Sequence, residues 1–278
     1  LIKSIKRGLE VAIRFWPLAF LILLVQLVFG IIVGGQVGEA LDHSIGFSQA
    51  GDLFSQGFDY SVYQDMLGQF PDALTNVKRT IPIIIIAYLI ISIFLQGSLI
   101  SSIIKSERSW KLFIQNGVRY YFPFLIIGLV FLVLIFGLTV LLWVPLLTNA
   151  IGIVESLASD RLFFFSIYAV GIVYILVLSL LVNASVNSRI NYAMLHHSIF
   201  SSLKAGFSWT FKKYLPLTGI FIFFGFLSFL LLFLSIRFDT SISMNVWISF
   251  IMTLLFIIMR ILMRSAYYAA LMDYSEAI

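Results

Sequence analysis

Apolar residues fall into six long runs, roughly 16–37, 81–105, 122–147, 162–188, 215–236 and 245–268, with polar stretches between them. Each run reaches the ~18–20 residues that carry a helix across a bilayer. Inside hydrocarbon every backbone donor and acceptor must be satisfied by the protein itself, which leaves helices or closed barrels. The two-residue alternation of a barrel strand is missing. The pattern therefore predicts an all-α integral membrane protein with six transmembrane helices. Composition agrees: 61% of residues are hydrophobic, 11% are charged and the mean hydropathy is +1.04, whereas a soluble domain carries about 25% charged residues. The first run has the basic flank of a signal peptide but no small-x-small cleavage pattern after it, and it reads as an uncleaved span.

The charges give the runs a direction. The N-terminal stretch, the second and fourth loops and the C-terminal end, taken with the span ends that adjoin them, hold 14 of the 18 Lys and Arg and 4 of the 13 acids, a net of +10. The other three loops hold 4 basic and 9 acidic residues, a net of −5. Basic residues collect on the cytoplasmic side, so both termini are expected there, in a bacterial cytoplasmic membrane. The pI of 9.4 then reflects orientation, and no nucleic-acid partner is implied.

Three odd-numbered spans open with the same phrase: "RFWPLAF", "YYFPFLI" and "KYLPLTG", centred on Pro17, Pro123 and Pro216. An amphipathic stretch precedes each. Ile2, Ile5, Leu9, Ile13 and Trp16 oppose Lys6, Glu10 and Arg14; Trp110, Phe113, Gly117 and Tyr121 oppose Lys111, Gln115 and Arg119; Leu203, Phe207, Phe211 and Tyr214 oppose Lys204, Ser208 and Lys212. This is the helical period. Each stretch carries a glycine, Gly8, Gly117 or Gly206. Such helices lie in the membrane surface with the basic face toward lipid phosphates. Proline breaks them and then fits the first turn of the span. The expected motif is an elbow, with Lys6, Arg14, Lys111, Arg119, Lys204 and Lys212 as interfacial cations. The even spans end in "QGSLISSII", "VNSRINYAM" and "MRSAYYAAL", which align with Ser98, Ser188 and Ser265 in register, followed by Ser101, Asn191 and Tyr268. The chain thus reads as three repeated hairpins, about 1–105, 106–197 and 198–278, each preceded by an interfacial helix.

This glycine, amphipathic helix, basic–aromatic turn and proline before a span resembles poorly characterised bacterial six-helix membrane domains. One version of these is attached to some glycerophosphodiester phosphodiesterases. The resemblance covers nearly the whole chain. It carries no catalytic residue across, because the sequence lacks the acidic metal site of the phosphodiesterase.

Candidate chemistry is sparse. Ionisable residues inside a bilayer are costly and mark function by default, yet the middles of the first five spans offer only Gln26, Gln96 and Asn183. That argues against ion-coupled pumping. No histidine lies in a span, which argues against haem-based electron transfer; His43, His196 and His197 read as interfacial polar groups rather than metal ligands. Cysteine is absent, so no disulfide or thiolate site exists. No cofactor, metal or enzymatic activity is expected. The remaining candidates are Arg260 and Arg264, four apart on the last span, with Arg260 about 15 residues or ~22 Å into it. Snorkelling to the headgroups accounts for them, as does a counter-charge for an anionic ligand. With Asn183, Asn187 and Asn191 on one face of the fourth span and Gln96 and Ser98 ending the second, they form a candidate anionic-ligand pocket open to the cytoplasm. Helix-to-helix hydrogen bonding explains the asparagines equally.

Gly30, Gly34 and Gly38 permit close helix approach, within the chain or as a homodimer seam. The outer loop at 38–80 is acidic and aromatic, fitting a surface helix or a docking face for a partner subunit in the membrane. The functional expectation is a non-catalytic membrane component, either an accessory or assembly subunit or a lipid-organising protein that binds anionic lipid of the cytoplasmic leaflet. The alternative is a transporter or channel for a lipid or amphipathic small molecule.

Overall fold

The computed structural model describes residues 1–45, 73–148, 160–195, 198–241 and 246–276. These are all-helical: α1 (Ile2–Arg14), α2 (Trp16–Ile45), α3 (Ala73–Lys105), α4 (Trp110–Thr148), α5 (Asp160–Leu195), α6 (Ile199–Lys212), α7 (Tyr214–Ser241) and α8 (Val246–Glu276). Six of them, α2, α3, α4, α5, α7 and α8, are long and apolar enough to cross a membrane. Large apolar side chains stand outward along them, with Phe136, Leu141 and Phe165 about 70% exposed. Water would not tolerate so continuous an apolar surface. The chain is a multi-pass helical membrane protein.

Two compact units divide the chain. One comprises Pro17–Ser92 and Leu231–Ile261. In it Gln26 Nε2 donates to the Tyr88 hydroxyl at 3.0 Å, and the Tyr88 ring meets Phe29 edge-on. The polar group that sequence placed alone in the first span is thereby satisfied on α3. Gly30, Gly34 and Gly38 have no described atom within 4 Å of where a Cβ would stand. Neither approach that this ridge permits, within the chain or between copies, is seen among the described residues.

The other unit comprises Leu1–Trp16, Ile93–Leu230 and Leu262–Ile278. Its short helices dock through small residues. α1 buries Ser4, Gly8 and Ala12, and α6 buries Ser202, Gly206 and Thr210, both at spacing four. A Cβ on Gly8 would come within 2.5 Å of the Ala266 carbonyl and 2.9 Å of Ala270 Cβ. One on Gly206 would meet Ser188 N at 2.7 Å and the Ala184 carbonyl at 2.9 Å, and one on Gly117 would strike Ser98 and Phe94. Each glycine therefore lies over two residues four apart on a span: 266 and 270, 184 and 188, 94 and 98. Measured from its glycine, Ala270 stands where Ser98 and Ser188 stand from theirs, five residues beyond Ser265.

The elbows differ from expectation in one place. α1 stops at Arg14 and α6 at Lys212, and Pro17 and Pro216 fall in the first turns of α2 and α7. Pro123 breaks nothing, since α4 runs unbroken from Trp110 to Thr148. Proline there removes only its own bond to the Arg119 carbonyl, and the helix keeps its other bonds on both sides. At 39 residues α4 is ~58 Å long, well beyond the ~30 Å hydrocarbon thickness. The α3–α4 turn is closed by Ser106 at φ 55°, with Glu107 N–H bonded to the Ser102 carbonyl at 3.0 Å, a left-handed helix stop.

The apolar stripe predicted on α6 is also divided. Leu203 and Phe207 pack on a buried cluster of Ile127, Phe131, Leu181 and Ala184, with the Phe207 and Phe131 rings stacked at 5.1 Å. Phe211 of the same stripe remains outward. Helix α1 closes on α8 through the Gly8 contact and an Arg7–Asp273 ion pair with an exposed arginine, worth about 1 kcal/mol or less.

Candidate functional site

The polar residues that sequence grouped into one pocket serve several separate contacts. On α5, Asn183 is fully buried and its Oδ1 accepts from the Tyr267 hydroxyl of α8 at 2.7 Å. Asn187 donates to Thr210 Oγ1 of α6 at 2.9 Å, and Asn191 donates to the Asn187 carbonyl at 3.1 Å. Ser98 is buried and turns back to the Phe94 carbonyl at 3.0 Å. These are helix-to-helix and within-helix bonds of the kind that hold membrane bundles together. Arg260 is exposed and belongs to the other compact unit. Arg264 is exposed, donates from Nε to the Tyr268 hydroxyl at 2.8 Å and lies over that ring at 5.7 Å.

Gln96 alone of the group leads to a buried charge, and its partner is Arg189, which the sequence reading passed over. Arg189 Nη1 donates to Gln96 Oε1, and its guanidinium lies 5.9 Å from the Phe124 ring centroid. Only 8% of Arg189 is exposed. Nε is buried and has no hydrogen-bond partner. A Cβ on Gly128 of α4 would stand 3.0 Å from Nη2, so glycine leaves the room that the guanidinium occupies. No described carboxylate pairs with Arg189.

The apolar run of this span ends at Ser188, and hydropathy alone places Arg189 beyond it. The helix continues to Leu195. The available signal was the absence of glycine or proline between 183 and 195, so nothing in the chain stops the helix there.

Asn183 adds a second orphan. Its Nδ2 is buried without a partner, and turning the amide over would only exchange which end is unpaired. Ser102 Oγ, Asn116 Nδ2 and Ser202 Oγ are likewise buried and unpaired.

Three placements fall partly or wholly outside the described residues: the outer loop at 46–72, the side chain of His43, and His196–His197. Among the described residues no three His, Asp or Glu side chains gather where they could hold a metal ion. No protein family, curated protein or solved structure matches the chain.

Proposed function

We propose that the chain is a non-catalytic component of a bacterial cytoplasmic membrane, with both termini inside, which gathers anionic lipid at the cytoplasmic leaflet as a lipid-organising or accessory subunit. One observation carries this reading. Lys6, Arg14, Lys111, Arg119, Lys204 and Lys212 are all exposed, beside outward apolar residues such as Ile13, Trp16, Phe122, Phe211 and Leu215. Cations next to an apolar rim are what a headgroup region receives. Each such cation contributes about 1 kcal/mol near an anionic surface.

The three glycine contacts support a repeated architecture. Gly117 meets the span before it, Gly206 the span before it, and Gly8 the last span, as if each interfacial helix docked on the preceding hairpin and the first closed the circle. The interfacial half of the second repeat is then the start of α4, carried beyond the hydrocarbon by that helix's length. Transport is the weaker reading, because the asparagine row that would line a path is occupied in bonds to Tyr267 and Thr210. Replacing the six cations together by glutamine lowers the share of anionic lipid that copurifies with the chain. An unchanged share overturns the proposal.

A further inference from the structure

Arginine keeps its charge in any protein environment and offers five N–H donors in a planar fork. A buried charge is stable when it is paired and its donors are satisfied. Arg189 meets neither condition among the described residues. One donor goes to Gln96, the ring of Phe124 covers it at 5.9 Å, and Nε is buried without an acceptor. Nη2 lies beside Gly128 on the same edge of the fork. That Nε–Nη2 edge matches two oxygens of a carboxylate or phosphate.

We propose that the Nε–Nη2 edge of Arg189, steadied by Gln96 and given room by Gly128, is the binding site for one oxoanion, a phosphate group held in the cytoplasmic half of the bundle. The proposal rests on the reading of the chain as a membrane protein that holds anionic lipid, and it adds a single defined site to the diffuse attraction of the six exposed cations. Phosphate fits better than an acidic side chain of the same chain, since no described carboxylate pairs with Arg189. The phosphate has two sources, a phospholipid headgroup or a free anion in the cytoplasm.

The experiment uses the full chain, delipidated in neutral detergent, titrated separately with phosphatidylglycerol in mixed micelles and with inorganic phosphate. Binding is read from tryptophan fluorescence and from the melting temperature. Wild type binds one equivalent. Arg189→Gln weakens binding about thirtyfold or more, the usual consequence of truncating one partner of a buried charge pair. Gly128→Ala keeps every charge but places a methyl 3.0 Å from Nη2, and it weakens binding while favouring the helix. It remains the deciding variant if Arg189→Gln fails to fold. Saturation by phosphatidylglycerol alone names the lipid headgroup as the source; saturation by both probes names a free oxoanion as a competent occupant. Equal affinity of wild type and Gly128→Ala for both probes, or no saturable binding to wild type, overturns the site. The chain with the six surface cations replaced separates the two proposals. It retains the single site when only the lipid-gathering reading is wrong, and it loses bulk anionic lipid when only the Arg189 site is wrong.

Discussion

Gly206→Ala puts one methyl group between α6 and α5, and the structure says what it meets. Two of its three nearest neighbours are backbone atoms, Ser188 N at 2.7 Å and the Ala184 carbonyl oxygen at 2.9 Å. No rotamer change clears a backbone atom, so α6 must retreat by roughly 0.7 Å to regain the 3.4 Å of an ordinary contact. A gap of that size forfeits about a quarter to a half of the dispersion energy of the contacts it opens. It also stretches the Asn187–Thr210 bond one turn away, now 2.9 Å. Overpacking of this kind costs about 1–3 kcal/mol, and a strained buried hydrogen bond adds about 1 kcal/mol. Alanine returns up to ~1 kcal/mol through its helix propensity. The net expectation is a loss of about 2 kcal/mol. Gly137→Ala on α4 is the control, because no described atom lies within 4 Å of its added Cβ, and it should gain up to ~1 kcal/mol. Gly117→Ala falls between them, since the Phe94 ring and Ser98 hydroxyl that it meets are side-chain ends that can turn aside. Thermal unfolding in one mild detergent should rank the melting points Gly137→Ala above Gly117→Ala above Gly206→Ala. A Gly206→Ala protein that melts at or above Gly137→Ala would refute the close backbone crossing.

The absence of cysteine makes a clean background for the orientation: Glu39→Cys should react with an impermeant maleimide in intact cells, and Arg108→Cys only after the membrane is opened. The reverse pattern would invert the topology. Tyr267→Phe leaves the buried Asn183 with neither end of its amide paired, which costs about 1–3 kcal/mol. Adding Asn183→Leu should recover part of that loss, and strictly additive destabilisation in denaturant titrations would rule out the bond as the link between α5 and α8.

The spans were legible because burial in hydrocarbon demands apolar side chains over a fixed length, and that demand is written in composition alone. Helix ends were not, because polarity marks where a helix leaves the bilayer and not where its hydrogen bonds stop. So α5 continues past Ser188 to Leu195, and α8 past Tyr268 to Glu276. That difference hid Arg189, a charge that hydropathy assigns to a loop and helix geometry places in the bundle. Pro17 and Pro216 behaved as local sterics require, while Pro123 was overridden by a helix that keeps its other bonds on both sides. The glycines were visible as a recurrence but their partners were not. Which span each approaches is a tertiary fact, carried by small residues such as Ala184, Ala266 and Ala270 that look unremarkable in an apolar run. The asparagines recur at spacing four on α5; sequence could not tell a pocket from the bonds they make to Tyr267 and Thr210.

The most direct measurement is native mass spectrometry of the chain released gently from its own membrane. Gathering of anionic lipid predicts chains carrying phosphate-bearing anionic lipid well above its share in the surrounding membrane, with or without a protein partner attached. Chains that emerge bare, or with lipids in the same proportions as the bulk membrane, would contradict the account.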